Sequence, residues 1–247
     1  MVDENAGTES FAARHHFLIR RLHSLAGLIP IGVFLTFHLL LNSTIVVGPD
    51  AFQFGVDQIH KIEALGILEM VEVFGILVPL AFHAILGIKI WLSGEPNALA
   101  YRDGSNIRYT LQRMTGVAAF LFIMFHLWQM HWLGAPFGGG FFDPQHAAVS
   151  AAEAMRPVWV GPVYALGVLC AVYHLANGIW TSLITWGITI GPRSQRVAGY
   201  VCTAFGIMLG LAGLAAVRGF KTLDIESTPM ETQASTAVVD HEVGMTD

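Results

Sequence analysis

Five apolar stretches, at about residues 24–46, 66–92, 112–133, 158–188 and 198–218, are each long enough to cross a lipid bilayer as a helix. A hydrocarbon core about 30 Å thick needs roughly 20 apolar residues at ~1.5 Å of rise each. Only 13% of the 247 residues are charged and mean hydropathy is +0.57, whereas a water-soluble domain carries about 25% charged residues. The expected fold is therefore all-α, a polytopic membrane protein with five transmembrane helices. One bundle is expected, because backbone polar groups at that depth have to be satisfied internally.

The net charge of −5, with no basic block, argues against nucleic acid as a partner. Cys170 and Cys202 both lie in apolar runs, so neither a disulfide framework nor a Cys-based metal site is expected. No C-x-x-C-H sequence occurs, which removes covalent c-type haem. Residues 1–23 read as a cytoplasmic segment with no cleaved signal peptide, 24–218 as the membrane domain, and 219–247 as an acidic, disordered extracytoplasmic tail. Lysine and arginine set the orientation. One side collects nine: Arg14, Arg20, Arg21, Lys89, Arg102, Arg108, Arg113, Arg193 and Arg196. The other collects four, Lys61, Arg156, Arg218 and Lys221, so the N-terminus is expected in the cytoplasm and the C-terminus outside. The Gly-rich stretch 134–140 precedes no helix start with a phosphate-binding lysine and reads as a flexible connection.

Ionisable residues inside membrane spans are rare and by default functional. Each of the first four spans carries one deep histidine: His38, His83, His126 and His174. One buried histidine alone is readily explained by a hydrogen bond to a nearby carbonyl; four, one per helix, are not. His38 lies 17 residues past Arg21 and His126 13 past Arg113, which puts them roughly 25 and 20 Å from the inner edge. His83 stands 6 residues before Lys89 and His174 18 after Arg156, roughly 9 Å from the inner edge and roughly 27 Å from the outer one. The four sort into two pairs at two depths, His83 with His174 inside and His38 with His126 outside.

Two imidazoles facing each other in an apolar bundle suit bis-histidine iron, and a b-type haem fills the space between helices. Zinc would want a third or fourth ligand, and no acidic residue sits at these depths. Two stacked haems, in a four-helix haem-binding bundle with a fifth helix beside it, are the expectation. Gly27, Gly32, Gly75, Gly87, Gly116, Gly167 and Gly178 are compatible with a flat macrocycle, although membrane helices also use glycine for plain contact. Arg20, Arg21, His23, Ser24, Arg113, Arg193, Ser194 and Arg196 are candidates to hold haem propionates on the inner side; the alternative is that these charges only set topology.

Several stretches resemble a known family: Arg20-Arg-Leu-His-Ser24, Phe34-Leu-Thr-Phe-His-Leu39, Phe82-His-Ala84, Leu111-Gln-Arg-Met-Thr-Gly116, Phe125-His-Leu-Trp128, His174-Leu-Ala-Asn-Gly178 and Trp186-Gly-Ile-Thr-Ile-Gly-Pro-Arg-Ser-Gln-Arg196. They resemble the single-chain dihaem cytochrome b anchor of succinate:menaquinone oxidoreductase (succinate dehydrogenase) and fumarate reductase, from about residue 17 to 218. The resemblance implies that His38, His83, His126 and His174 are the iron ligands. It also implies a flavoprotein and an iron–sulfur subunit docked on the Arg-rich inner face. Electrons would pass through the inner (proximal) and outer (distal) haems to menaquinone or another quinone, with no succinate chemistry on this chain.

Quinone reduction needs a proton donor near the ring carbonyls. Asp57, His60, Glu63, Glu69 and Glu72, at the outer mouth of the second span, are the group available; the bland alternative is a solvated loop and helix start, where acids favour the N-terminal dipole. His131 and His146, in or beside the long outer loop, match nothing in the family pattern. Two other readings stay open. One is the dihaem anchor of a formate dehydrogenase, hydrogenase or nitrate reductase. The other is a haem-free transporter relaying protons through the same histidines, for which Pro79 is one of few mid-membrane helix breakers.

Overall fold

A computed structural model describes residues 15–63, 66–93 and 104–225. The N-terminal residues before His15 and those from residue 226 lie outside the described residues; the tail expected from 219 begins later, because the fifth span stays helical through Thr222 with Phe220 buried. All regular structure described is helical, and five helical stretches are long and apolar enough to cross a membrane: Phe17–Val46, Leu68–Ser93, Asn106–Met130, Val160–Thr185 and Pro192–Thr222. The first span joins α1 (His16–Ala26) through a π-helical turn (Gly27–Ile31) to α2 (Gly32–Ser43). The outer connection carries α3 (Pro49–Glu63). The second span runs from α4 (Leu68–Met70) through a π segment (Val71–Leu77) into α5 (Val78–Ser93). The third span is α6 (Gly104–Met130), α7 (Ala147–Ala154) lies in the long outer loop, and α8 (Val160–Thr185) and α9 (Pro192–Thr222) are the last two spans.

Local chemistry sets the helix ends, which differ by several residues from the apolar limits. α8 stops at Thr185 rather than 188, because Gly187 takes a left-handed φ of 71°. The following Ile188 N–H then turns back to the Leu183 carbonyl at 2.9 Å, closing a glycine-terminated helix end. α9 starts six residues before its expected limit. Pro192 occupies the first helical position, and Ser194 Oγ accepts the Gly191 N–H at 3.2 Å.

α6 packs along α8, α8 along α9, α9 along α2, and α1 along α5. The close α8–α9 and α2–α9 contacts need small residues on the fifth span. A Cβ at Gly213 would stand 2.5 Å from Val168 Cγ1, and one at Gly206 2.9 Å from the Ala176 Cβ. Leu39, Val168, Val172, Leu175 and Leu209 fill the resulting seam.

The outer end is a second, denser core. α3, whose Asp57, His60 and Glu63 the sequence offers as proton donors or else as a solvated loop, is an amphipathic helix, burying Phe52 and Val56 one turn apart while Asp57 and Lys61 face out. Pro49 and Asp50 start it, and His60 and Lys61 lie in its last turn. It packs on α7, whose alanines are nearly all buried, together with Ile45, Tyr164, Ala216 and Phe220. Buried Gln53 joins the two helices. Its Oε1 accepts the Ala147 N–H at 2.9 Å, and its Nε2 donates to the Pro144 carbonyl at 2.8 Å and to Asp57 Oδ1 at 2.9 Å. At the start of this segment the His146 ring bonds Asp143 Oδ2 at 2.8 Å. With the Gln145 N–H, this holds the Asp143 carboxyl below its usual range.

The Gly-rich stretch is not the flexible connection expected. It folds back on the end of α6: the Gly140 N–H donates to the Trp128 carbonyl at 3.0 Å and the Phe141 N–H to that of Gln129 at 2.8 Å. These are C-terminal helix carbonyls with no intrahelical partner. A Cβ at Gly134 or Gly139 would sit 1.8 or 1.9 Å from the Trp128 oxygen, so only glycine lets the loop make this cap.

The Lys221 ammonium closes the outer end from the fifth span, donating to the carbonyls of Met155, Arg156 and Pro157 at 2.6, 2.8 and 2.8 Å. Hydrogen bonds from a charged donor contribute about 2 kcal/mol. Lys221→Met is expected to lower the thermal midpoint of the detergent-solubilised protein by several degrees, with helix content unchanged by circular dichroism.

Candidate cofactor site

The histidines from the first four spans meet in two pairs. The His38 and His126 ring centroids lie 5.7 Å apart at an interplanar angle of 75°, and those of His83 and His174 6.0 Å apart at 85°. His38 comes from α2 and His126 from α6, helices that lack close backbone packing on one another. Between these helices the two rings approach.

Hydrogen bonds decide which ring nitrogen is available. His83 Nδ1 lies 2.9 Å from the His23 carbonyl and His174 Nδ1 3.0 Å from the Gln112 carbonyl. A carbonyl only accepts, so each Nδ1 carries the hydrogen and each Nε2 presents a bare lone pair. His126 Nδ1 lies 3.1 Å from the Tyr164 hydroxyl. An imidazole held this way is set up to ligate through Nε2.

The pairs also test what they could hold. Among the described residues no group of three or more His, Cys, Asp or Glu side chains could hold a bare ion. Two facing imidazoles suit a metal whose other ligands come with it, as in a haem. With metal–nitrogen bonds of ~2 Å, two rings on one iron have centroids roughly 6 Å apart, which the observed spacings match. Glycine makes room at the inner pair: a Cβ at Gly27 would stand 2.4 Å from the His83 ring and one at Gly116 2.8 Å from that of His174. His23 stacks on His83 at 4.1 Å and 7°, and its Nε2 is buried without a partner. An orphaned donor or acceptor beside the pair fits a polar edge of a bound group.

The other inner candidates divide. Ser24 Oγ meets Ser182 Oγ at 2.7 Å. Arg21 donates to the Thr185 carbonyl at 3.0 Å and lies over the Phe17 and Trp186 rings, tying α1 to the end of α8. Arg113 bonds the Trp91 carbonyl and the Tyr109 hydroxyl, tying α6 to α5. Ser194 is used in the start of α9. Arg20, Arg193 and Arg196 are exposed at this end, and Arg193 lines an open apolar groove of about 730 Å³ between α8 and α9, remote from the histidines.

On the outer side, Asp57 and Glu69 are exposed, His60 is half-buried, and Glu63 ends α3. Glu72 differs: from the π segment it bonds His131 Nε2, at the end of the helix that carries His126. Sequence reading left His131 without a role.

It also missed the polar partners of the paired histidines. Gln112 donates to the His174 carbonyl at 3.1 Å and accepts from Asn177 Nδ2 at 2.8 Å. Asn177 in turn accepts from Arg108 Nε at 3.1 Å, and the Arg108 guanidinium lies 3.7 Å from the Trp180 ring centre. The signal was present in sequence, since Asn177 falls three residues after His174 on one helix face.

Five membrane helices with facing intramembrane histidines define a helical membrane protein of the cytochrome b type. Residues 96–213 match the family model of the succinate dehydrogenase/fumarate reductase transmembrane subunit. The succinate dehydrogenase cytochrome b558 subunit of Bacillus subtilis (strain 168) is 34% identical over 209 residues, which cover 85% of this chain and 99% of that protein. The chain belongs to the family of cytochrome b membrane anchors of succinate dehydrogenase and fumarate reductase.

Any side chain at Gly116 must displace the His174 ring. Gly116→Val is expected to lower the haem bound per chain. Gly75→Ala, whose Cβ would meet only Val71 at 3.6 Å, should leave it unchanged; absorbance against protein concentration checks both.

Proposed function

We propose that this chain is a dihaem anchor that passes electrons from an iron–sulfur subunit to a quinone. His83 and His174 hold the inner haem, and His38 and His126 the outer one. The observation that carries the reading is the two histidine pairs at centroid spacings of 6.0 and 5.7 Å, on four spans of a member of this family. Haem b at these positions would supply one-electron carriers spaced across the bilayer.

The residues around the pairs support an assignment of ends. The His83–His174 end carries Arg20, Arg21, Lys89, Arg113, Arg193 and Arg196, which the positive-inside rule puts in the cytoplasm. The flavoprotein and iron–sulfur subunits dock on that face of the inner membrane, and the C-terminus lies outside. At the inner edge His23 Nε2, Ser24 and Arg20 are the groups placed to hold propionates. Arg21 and Arg113 chiefly clamp helix ends.

At the outer end the Glu72–His131 pair is the best-placed proton donor for menaquinone or another quinone. The Leu133 N–H donates to His131 Nδ1 at 3.2 Å, so Nδ1 is bare and Nε2 carries the hydrogen given to Glu72. The pair can hold or release a proton at the Glu72 carboxyl, five residues along the bundle from His126. Asp57, His60 and Glu69 would act as the group that resupplies it, with Glu63, at the end of α3, the fourth candidate.

A pyridine haemochrome assay on the purified complex is expected to give two b haems per chain. His83→Ala or His174→Ala should remove one and His38→Ala or His126→Ala the other. Loss of both from a single change in an assembled complex would contradict two separate sites, and no haem in a folded complex would leave the proton-relay reading. Glu72→Gln is expected to slow quinone reduction about 100-fold with both haems retained, and equal rates would remove Glu72 from the role.

A further inference from the structure

The ligands are not all held in the same way. His83 and His174 donate to main-chain carbonyls, which no side-chain substitution removes. His126 instead faces the Tyr164 hydroxyl at 3.1 Å. Tyr164 passes the contact on to Gln129, and both residues are only 4% exposed.

The direction of every bond in this chain follows from its far end. The Ala154 carbonyl, at the last residue of α7, only accepts, so the Gln129 atom 2.8 Å from it is the Nε2–H donor. That turns Gln129 Oε1, an acceptor, toward Tyr164 at 2.7 Å. The phenol gives its single hydrogen to Oε1 and offers His126 only lone pairs. His126 therefore carries its hydrogen on Nδ1 and leaves Nε2 bare. α7 is itself anchored at its other end, where the Ala147 N–H donates to Gln53.

We propose that Tyr164 and Gln129 are positioning residues that fix the tautomer of His126 and thereby set the midpoint potential of the outer haem. This rests on the reading that His38 and His126 hold that haem. An imidazole whose N–H is given to an acceptor is a more basic ligand and stabilises oxidised iron. Removing the acceptor raises the potential of that site. The inner site, tied to carbonyls, does not respond.

The test uses the complex purified with its partner subunits. Tyr164→Phe keeps the ring that packs edge-on against Phe122 and removes the acceptor. Redox titration with the two haems resolved by electron paramagnetic resonance is expected to show the outer one shifted about tenfold toward the reduced form. That is ~59 mV upward for a one-electron couple, with the inner potential unmoved. Gln129→Leu leaves Tyr164 in place but removes the acceptor that polarises its O–H, which weakens the phenol oxygen as acceptor of the His126 N–H, and should shift the same potential in the same direction. The double variant should match Tyr164→Phe alone, because both changes act through one chain.

Two unchanged potentials in both variants, or two potentials that move together, overturn the proposal. If Tyr164→Phe does not assemble, the Gln129→Leu shift decides alone. Fewer than two haems per chain in the unaltered complex would instead overturn the dihaem reading, so the two failures are told apart.

Discussion

An imidazole inside a bilayer has two nitrogens to satisfy and no water to satisfy them with. In this bundle, one nitrogen of three of the deep histidines is taken by a partner within the protein, and each of the four rings stands within about 6 Å of a second imidazole. Much of the architecture serves that arrangement. The α1–α5 contact brings the His23 carbonyl to His83, and the α6–α8 contact brings the Gln112 carbonyl to His174 and Tyr164 to His126. Gly27 and Gly116 are bare where those rings lie against the neighbouring helix. Unsatisfied polar groups at this depth cost several kcal/mol each, so a helix that slipped by one residue would lose both its bond and its ring position.

The two ends are built by different means. At the inner end arginines reach across the bundle and close on carbonyls and aromatic faces, as Arg21 does on Thr185 and Trp186. Charge at that edge fastens the helix ends. The outer end has few cations and relies on a packed cap of α3, α7 and the glycine loop, with Gln53 and Lys221 supplying its polar ties. Both solutions satisfy helix termini that the bilayer would otherwise leave unpaired.

The histidine pairs were legible in the sequence because depth in a straight helix is simple arithmetic, and three of the four distances could be counted from an arginine or lysine on the inner side. The partners were not legible, since spacing along one helix does not say which residue of another helix it meets. Tyr164 and Gln129 belong to different spans and become a pair only once α6 lies on α8. Arg108 was counted as a topology charge, and its bond to Asn177 depends on the same contact. α3 escaped notice because fifteen amphipathic residues cannot span a bilayer, although the Phe52–Val56 spacing marks one apolar face. Gly134 and Gly139 looked like freedom in the sequence; in the structure they are close approach to Trp128.

The difference between the ends bears on how the two sites can diverge. Histidines tied to main-chain carbonyls keep their tautomer through almost any sequence change, so the inner pair is buffered against drift. The tautomer of His126 hangs on two side chains and on the seat of a cap helix held by a third, so that end can be retuned by single substitutions. The same helix that carries His126 ends at His131, which bonds Glu72 of the second span. The His126 ring and the Glu72–His131 pair thus share one element, the outer end of α6, and the loop that caps it. A displacement of that cap would move both together, whereas the inner pair, fixed through α1, α5, α8 and the opposite end of α6, would stay in place.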